Sequence, residues 1–504
     1  MMTCRRALLS GLMVASLTLG AAPTISPAVA QQGGDRDAPG ITAQEAQLGR
    51  EQHKQVLAQF GGAYDDPKLQ AYVKSTGERL KDATEFKDEE FTFTLLNSDV
   101  VNAFALPGGY VYVSRGLLAL ARDEAELAGV LGHEIGHVRA HHTTARVKRA
   151  GLGQAGAVAA QILGGLLGGY LGGDMGARLG AQVGGQAGAL GAQAWVQGFS
   201  REQEFEADQL GIQNLEAAGY EPRAMASFLG QLRANDQLDQ QLTGGREAVP
   251  SWLSSHPRTE DRLTRAGEAA AQAAPGAREQ DRERFLAAID GLVYGDDPSQ
   301  GFVRGRTFEH PELGFRFTAP EGFTLKNTPT AVIGRDRQGR FLNFDMARGR
   351  SSDPETFIAR DWAKEVRVEN LQALQLRSGL EAAAGFTRVQ INKQPAEAML
   401  VAIAAGDGQF YRFMFADPRG LGRDDVADFG EAVRSFALLA KGEARGARPL
   451  RIKLHTVASG ETQEDLAKLM KVEQLPLETF RVLNGFKEGQ ELRSGEMVKI
   501  IVQE

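Results

Sequence analysis

Apolar residues recur at helical spacing along the first part of the chain. The stretch "TAQEAQLGREQHKQVLAQFG" (42–61) predicts an amphipathic helix that begins at Thr42, with Glu45 completing a capping box. A second helix is predicted over "DPKLQAYVKSTGERLKDA" (66–83). The stretch "DEAELAGVLGHEIGHVRAHHTTARVKR" (123–149) has the pattern of one long helix, and residues 200–219 have that of a helix ending at Gly219.

Strand patterns occur in two parts of the chain. The stretch "FTFTLLNS" (91–98) alternates as a strand does, and "NAFALPGGYVYVSRG" (102–116) predicts two strands joined by a Pro-Gly-Gly turn. From about Phe308 strands and hairpins predominate, with helices predicted over "PETFIARDWAKEV" and "DDVADFGEAVRSFALLA". The predicted fold class is therefore α+β and multidomain. It consists of a mainly helical domain with a small sheet (31–290), an α+β accessory domain without readable chemistry (300–440) and a small βααβ unit (441–504).

Residues 151–200 form a glycine-rich segment with only two charged residues between Arg149 and Arg201. Seven glycines at spacing four, from Gly164 to Gly188, would form a smooth stripe on a helix, where another backbone can approach closely. The uncharged pieces are just long enough to reach across a bilayer, so contact with a membrane is one interpretation. The alternative is a pair of tightly packed soluble helices or a cover over an active site.

Composition narrows the class of protein. A chain of 504 residues is long enough for two to four domains, and its 42% hydrophobic and 24% charged residues are ordinary for a soluble globular protein. A net charge of -7 argues against a nucleic-acid binder. Residues 1–30 combine a basic start, an apolar run and an Ala-Val-Ala end, which is typical of a secretory signal peptide cleaved before Gln31.

Cysteine usage restricts the metal chemistry. The single cysteine, Cys4, lies in the predicted signal peptide, so the mature chain can hold a metal only through His, Asp or Glu. His133 and His137 are four residues apart, which in a helix places both imidazoles on one face, about 6 Å apart along the axis. One Zn²⁺ fits between them, and Glu134, rotated by about 100° from His133, can take a proton from water at that zinc. This is the logic of the H-E-x-x-H motif.

A catalytic zinc needs a third protein ligand and one open position. The metzincin pattern fails, because Ala140 and Thr143 stand where that class has glycine and histidine. His141 and His142 follow closely, but we expect neither to bind the metal, and we interpret His141 as a surface or outer-sphere residue.

The stretch "EFEAD" offers carboxylates for the remaining positions. Glu204 and Asp208 are four residues apart on one helical face, so Glu204 could bind zinc while Asp208 orients a ligand histidine. Glu206 points away from that face and is expected to be solvated. Taken alone, the stretch is also compatible with a solvated acidic helix face.

Three stretches in this order, "NAFALPGG", "ELAGVLGHEIGH" and "SREQEFEADQLG", resemble the gluzincin metallopeptidases of family forty-eight. This family includes CAAX prenyl endopeptidases, the HtpX heat-shock protease and periplasmic beta-barrel assembly-enhancing proteases. The resemblance covers roughly residues 40–270 and implies a zincin-type fold. It implies three zinc ligands and a catalytic glutamate, namely His133, His137 and Glu204 with Glu134. It also implies that Asn102, Ala103 and Phe104 lie on an edge strand that receives substrate backbone by β-addition.

The stretch "WLSSHPRTEDRL" extends the resemblance to the periplasmic branch of the family. The resemblance implies that His256 occupies the open zinc position in a resting state. It implies a place near the developing oxyanion for Arg262, where a fixed cation is effective. An ordinary loop histidine and a surface arginine are the alternative interpretation.

The last fifty residues resemble a LysM module, with a strand, a Gly-Glu-Thr turn, two helices, Asn484 and a final strand. Such modules bind N-acetylglucosamine polymers, which in this setting implies peptidoglycan as a partner. Gln463 follows the Gly-Glu-Thr turn, where the family usually has an apolar residue. A small interaction module without glycan binding is the alternative.

The combined prediction is a periplasmic zinc metalloendopeptidase that cleaves misfolded or stalled envelope and outer-membrane proteins. Zinc would polarise the scissile carbonyl, and Glu134 would activate water and then protonate the leaving amine. Two alternatives belong to other classes: a periplasmic chaperone or assembly factor with a latent zinc site, and a cell-wall-binding protein. An intact Glu134 favours the enzyme, because a purely structural zinc site has no use for that carboxylate.

Overall fold

The computed structural model describes residues 40–149, 199–242, Trp252, His256, 260–272, 278–391, 394–440 and 448–504. The predicted signal peptide (1–30) and nearly all of the glycine-rich segment (151–200) lie outside the described residues. Within the described ranges, no helix has the length and apolarity that crossing a bilayer requires. The described chain mixes helices and sheets, which confirms the α+β class.

Helices build most of the N-terminal domain. The capping box at the first helix is confirmed, because Thr42 accepts a hydrogen bond from the Glu45 amide and Glu45 accepts one from the Thr42 amide. Asp66 caps the second helix. Among the described residues, the helices of this domain are α1 (Ala43–Gln59), α2 (Pro67–Asp82), α3 (Arg115–Leu120), α4 (Glu124–Arg139), α5 (His142–Arg149), α6 (Arg201–Ala217), α7 (Ala224–Leu242), α8 (Glu260–Ala271) and α9 (Arg282–Ile289).

The single long helix predicted over 123–149 is wrong, because the chain bends between α4 and α5. Ala140 caps α4, and His141 adopts a φ of 52°. A left-handed residue cannot continue a right-handed helix, so α5 leaves in a new direction. Glu45 of α1 stabilises the bend, since its carboxylate accepts a hydrogen bond from the Thr144 hydroxyl and lies 3.2 Å from His141 Nδ1.

The sheet of the N-terminal domain has three strands, β1 (Thr92–Leu96), β2 (Ala103–Leu106) and β3 (Tyr110–Ser114), in the order β1-β3-β2. Strands β1 and β3 are parallel, whereas β2 and β3 form the predicted hairpin. Gly108 and Gly109 turn this hairpin with φ of 85° and 77°, a backbone conformation that favours glycine. Among the described strands only β3 pairs with β2, so β2 is an edge strand, and it packs against α4.

Close packing of α4 on α6 depends on glycines that face each other. A methyl group at Gly136 would lie 3.0 Å from the carbonyl oxygen of Ala207, and one at Gly211 would lie 3.0 Å from the backbone nitrogen of His133. Both distances are tighter than ordinary van der Waals contact, so side chains here would push the helices apart. The predicted metal-binding stretches of α4 and α6 therefore meet at short range.

The accessory domain consists of two antiparallel sheets. Apolar clusters cover both faces of the larger sheet, one around Phe413 and the other around Phe410. The helix predicted at "PETFIARDWAKEV" is only partly α-helical, because α10 (Pro354–Thr356) continues as a π-helix over Phe357–Trp362. The remaining elements are β5 (Phe302–Arg304), β6 (Thr307–His310), β7 (Phe315–Thr318), β8 (Thr324–Asn327), β9 (Ala331–Arg335), β10 (Phe341–Arg348), β11 (Glu369–Gln375), β12 (Glu381–Ile391), β13 (Gln394–Gly406), β14 (Gln409–Asp417), α11 (Arg423–Arg434) and β15 (Ala437–Leu438). The sheets have the orders β11-β12-β13-β14-β10-β9-β8 and β15-β7-β6-β5.

The C-terminal unit has the predicted βααβ order, with β16 (Leu450–Thr456), α12 (Gln463–Leu469), α13 (Pro476–Asn484) and β17 (Met497–Gln503). It packs directly on the N-terminal domain. Strand β4 (Val293–Tyr294) pairs with β16, and the side-chain nitrogen of buried Lys499 donates hydrogen bonds to the carbonyl oxygens of Ala119 and Ala121 at 2.7 Å each.

Gln463, the polar departure from the LysM pattern, is buried within this unit. Its amide nitrogen donates to the carbonyl oxygens of Lys487 and Gln490, and its amide oxygen accepts from Arg481. These hydrogen bonds offset the cost of burying a polar side chain where an apolar one is usual.

We expect the accessory domain to lose stability in acid through His310. Burial lowers the pKa of His310 to about 4, and its Nδ1 accepts a hydrogen bond from the Leu313 amide. A base with a lowered folded pKa is protonated first in the unfolded chain. Its contribution is therefore complete above about pH 6.5 and declines towards pH 4, by at most about 1.4 kcal/mol per pH unit.

The measurement is amide hydrogen exchange of β6 and β7 in the full chain at pH 7.5 and pH 5. Protection factors should fall at pH 5 in the wild type and fall less in His310→Asn, which keeps an acceptor for Leu313 but cannot be protonated. Equal pH dependence in both proteins would contradict the role of His310.

Candidate metal centre

Four buried side chains converge beside the contact between α4 and α6. His133 and His137 come from α4, Glu204 comes from α6, and His256 comes from the stretch before α8. Their nearest ligand atoms all lie within 4.8 Å of one another. The structure therefore brings the three predicted zinc ligands together and adds His256 as a fourth donor.

The spacing of the donor atoms fits a tetrahedral zinc ion. Bonds of about 2.0–2.1 Å place the corners of such a tetrahedron about 3.3 Å apart. His133 Nε2 lies 3.0 Å from His137 Nε2 and 3.2 Å from His256 Nδ1. Glu204 Oε1 lies 3.0 Å from His256 Nδ1 and 3.5 Å from His137 Nε2. Three imidazole nitrogens and one carboxylate oxygen are a donor set that suits zinc.

The protonation states of the site favour a cation. Burial alone would raise the pKa of Glu204, but the electrostatic interaction with His256 and hydrogen bonds from His137 and His256 hold it well below its usual value. Burial holds the pKa of His137 well below the ordinary histidine value. An ionised carboxylate beside a neutral imidazole is the state in which both side chains bind metal.

Asp208 and Arg262 lie directly behind the ligands. Asp208 Oδ1 is 2.9 Å from His133 Nδ1, on the side of the ring away from the other donors. Burial alone would raise the pKa of Asp208, but Arg262 and His133 lower it. A carboxylate at this position fixes the ring orientation of a ligand histidine.

Arg262 pairs with two carboxylates of the site. Its guanidinium donates two hydrogen bonds of 2.7 Å to Asp208, and Nη1 forms a 2.5 Å ion pair with Glu204. The side chain is buried, and Asp208 and Glu204 together hold its pKa above the usual value despite burial. In this arrangement Arg262 orients two carboxylates of the site.

His142 lies behind the second ligand. Its Nδ1 is 2.9 Å from His137 Nδ1, and its Nε2 is 3.2 Å from a carboxylate oxygen of Glu206. Glu206 is largely exposed, as expected, yet it holds this contact. The ring of Phe199 stacks on His137 at 4.1 Å, so His137 is confined from two sides.

Glu134 is buried within the same cluster. Trp252 Nε1 donates a 2.9 Å hydrogen bond to its Oε1, and His256 Nε2 lies 3.6 Å from the same oxygen. The rings of Trp252 and His256 stack at 4.5 Å. In this conformation His256 thus occupies the fourth donor position, and Trp252, four positions earlier in the sequence, binds the Glu134 carboxylate.

The predicted substrate strand packs against α4, the helix that carries His133 and His137. Ala103 and Phe104 begin β2, and Asn102 directly precedes it, with a buried side-chain oxygen that has no hydrogen-bond partner among the described residues. The backbone nitrogen of Trp252 donates to the carbonyl oxygen of Val101 at 2.8 Å. Phe104 itself packs in an apolar cluster, so the strand would offer mainly its backbone to a bound chain.

Sequence reasoning missed the contributions of Trp252, His142 and Phe199. Trp252 is the first residue of the stretch "WLSSHPRTEDRL" and lies four positions before His256, but the sequence pattern assigned it no role. His142 is five positions after His137, which in a continuous helix is rotated by about 140° away from it. Only the bend at His141 brings this histidine back to the site.

The sequence profile of Peptidase family M48 matches residues 67–270, the range that contains every residue of this cluster. Residues 67–270 are a peptidase family M48 domain. This assignment agrees with the resemblance deduced from the three motifs, and members of the family use zinc. The M48 domain accounts for α2 to α8 and the three-stranded sheet.

Curated relatives share this part of the chain. The Beta-barrel assembly-enhancing protease of Escherichia coli (strain K12) is 31% identical over 286 residues, which cover 55% of this chain and 54% of that protein. The zebrafish (Danio rerio) protein "Metalloendopeptidase OMA1, mitochondrial" is 29% identical over 214 residues, 40% of each chain. The chain thus spans about half the length of the curated relatives it matches.

Among solved structures, cyanobacterial PsbP (CyanoP) from Synechocystis sp. PCC 6803 is 14% identical with a TM-score of 0.21. The match covers 29% of this chain and 98% of that protein.

The contacts of Arg262 predict that Arg262→Lys weakens metal binding. Lysine keeps the charge but lacks the planar guanidinium that binds Asp208 and Glu204 at the same time. Glu204, and His133 through Asp208, would therefore lose their orientation. We expect zinc affinity, measured by chelator competition, to fall by about 10- to 100-fold. Arg265→Lys is the matched control, because Arg265 is exposed on the same helix and lies over the ring of Phe205. Unchanged zinc affinity with a reduced hydrolytic rate constant would instead support an oxyanion role.

Proposed function

We propose that the chain is a zinc-dependent metalloendopeptidase, with His133, His137 and Glu204 as metal ligands. The observation that carries this proposal is the position of Glu134, whose buried carboxylate lies in the same cluster as the ligands without being one of them. A structural zinc site has no use for such a carboxylate. The names of the curated relatives, a protease and a metalloendopeptidase, support the same reaction class.

A bound zinc ion would polarise the scissile carbonyl and lower the pKa of water at the site towards about 7. The protein residues have separate tasks in this proposal. Glu134 takes the proton of the attacking water and passes it to the leaving amine. Asn102 and the edge of β2 at Ala103 and Phe104, which pairs with no second described strand, align an extended substrate backbone. The Asn102 side-chain oxygen, without a hydrogen-bond partner among the described residues, offers that backbone an acceptor. Asp208 and Arg262 keep the ligands oriented.

The described conformation corresponds to a closed site in this proposal. A catalytic zinc keeps one position open, whereas His256 fills that position here and Trp252 holds Glu134. The backbone nitrogen of Trp252 also donates a hydrogen bond to the carbonyl oxygen of Val101, just before the proposed substrate strand. We propose that the segment carrying Trp252 and His256 withdraws before a substrate binds.

The proposed substrates are misfolded or stalled proteins of the cell envelope, including outer-membrane proteins, and the proposed compartment is the periplasm. Support comes from the signal-peptide pattern at 1–30 and from the name of the assembly-enhancing relatives. Peptidoglycan binding by the C-terminal unit and membrane contact through 151–200 remain predictions from the sequence. The βααβ arrangement is compatible with the first of these.

The closed site also favours a second candidate function. A chaperone or assembly factor whose zinc site stays shut would need the same fold but no turnover. A cell-wall-binding protein with an inert M48 domain would be a related case. Both alternatives predict that the Glu134 carboxylate is dispensable, so a substitution there separates them from the enzyme.

Glu134→Gln should abolish peptide hydrolysis. The amide is nearly isosteric and keeps an acceptor for Trp252, but it cannot take a proton. We therefore expect the cleavage rate of unfolded casein to fall by at least about 100-fold with zinc content unchanged. A chelator should abolish wild-type cleavage, and Glu202→Gln, an exposed change on α6, should leave it intact. Equal cleavage by wild type and Glu134→Gln would exclude the protease.

His256→Ala should raise basal cleavage of casein several-fold, because it frees the fourth donor position while three ligands remain. The comparison is the initial rate per bound zinc in His256→Ala and in His455→Ala, a control on β16 far from the ligands in sequence. A rate equal to or below that of the wild type would argue against a blocking role for His256.

A further inference from the structure

The contact between His137 and His142 fixes where their protons lie. His137 directs Nε2 into the donor cluster, at 3.0 Å from His133 Nε2, so as a metal ligand it must carry its proton on Nδ1. That Nδ1 lies 2.9 Å from His142 Nδ1, and a hydrogen bond needs one donor and one acceptor. His142 must therefore accept at Nδ1 and carry its own proton on Nε2, which faces Glu206 at 3.2 Å.

We propose that His142, oriented by Glu206, is a positioning residue that fixes the tautomer and ring orientation of His137 for metal binding. This inference rests on the proposed metal site but not on peptide hydrolysis. It assigns each ligand histidine of α4 its own partner. His133 faces the Asp208 carboxylate, whereas His137 faces a neutral imidazole that leads to an exposed carboxylate.

The bend between α4 and α5 is what makes this contact possible. In a continuous helix His142 would lie about 140° around the axis from His137. The left-handed backbone of His141 turns the chain, so that His142 is buried behind the ligand while His141 faces Glu45. The bend thus separates two adjacent histidines into different surroundings.

The other described contacts of His137 do not supply a replacement acceptor. Phe199 stacks on the ring at 4.1 Å and offers an apolar face. Among the described residues, His142 is the hydrogen-bond partner of His137 Nδ1. Removing that acceptor would leave the Nδ1–H group of His137 buried without a partner in the tautomer that binds metal. This would destabilise the metal-bound state of the site.

The central experiment compares His142→Leu with His142→Asn in the full chain. Asparagine can place its amide oxygen where His142 has Nδ1, whereas leucine offers no acceptor. We expect His142→Leu to weaken Zn²⁺ and Co²⁺ binding, measured by chelator competition, by about 10- to 100-fold. The visible absorption bands of bound Co²⁺ should shift as well. We expect His142→Asn to remain within about threefold of the wild type in affinity and to keep its spectrum.

A second pair of variants tests the contact between Glu206 and His142. Both substitutions are at exposed positions, where they do not threaten folding. Glu206→Lys places a donor opposite His142 Nε2, which favours the tautomer with a proton on Nδ1 and sets two N–H groups against each other. We expect a loss of metal affinity of about tenfold. Glu202→Lys makes the same charge change on the same helix, one turn earlier at an exposed position, and should cost less than about threefold.

The outcomes are distinct. Equal metal affinity and Co²⁺ spectra in the wild type and His142→Leu would overturn the role of His142. Equal losses in His142→Leu and His142→Asn would make it a packing role instead, and equal losses in Glu206→Lys and Glu202→Lys would overturn the part of Glu206. If His142→Leu does not fold, the lysine pair decides. Failure of the wild type to bind metal would refute the metal site itself, whereas binding without casein cleavage would refute only the protease.

Discussion

The close packing of α4 on α6 is the constraint on which the rest of the site depends. Gly136 and Gly211 let the two backbones approach until added methyl groups would lie 3.0 Å from the neighbouring helix. At that separation His133 and His137 face Glu204 across a gap that one ion can fill. A metal site tolerates only small errors in ligand position, so the rigid contact between two helices serves it better than a loop would.

The balance of buried charge explains why this cluster suits a divalent cation. Glu134, Glu204 and Asp208 bring three carboxylates into the interior, and Arg262 supplies one fixed positive charge. Buried charges are costly unless they are paired, and this set lacks two positive charges. A zinc ion would supply both. The contacts of Arg262 with Asp208 and Glu204 neutralise part of this buried negative charge.

The environment of the two ligand histidines differs in a way that links the site to the protein surface. His133 is held by a buried ionic pair, whereas His137 is held by His142 and, through it, by the exposed Glu206. The first support is buried from solvent. The second support includes the exposed Glu206 and depends on the bend at His141. The segment with Trp252 and His256 closes the remaining side of the site.

The sequence by itself determined the chemistry and most of the elements. Local signals were sufficient for the capped helices, the Pro-Gly-Gly hairpin and the pairing of His133 with His137, because all of these depend on residues within a few positions of one another. Glu204 required the resemblance to a family, since 67 residues separate it from His137. The helical period also predicted one long helix through His141, where the left-handed backbone of that residue bends the chain instead. Only the tertiary structure decided the places of His142, Trp252 and Arg262. Their partners come from other elements, and periodicity along the sequence carries no information about contacts between elements.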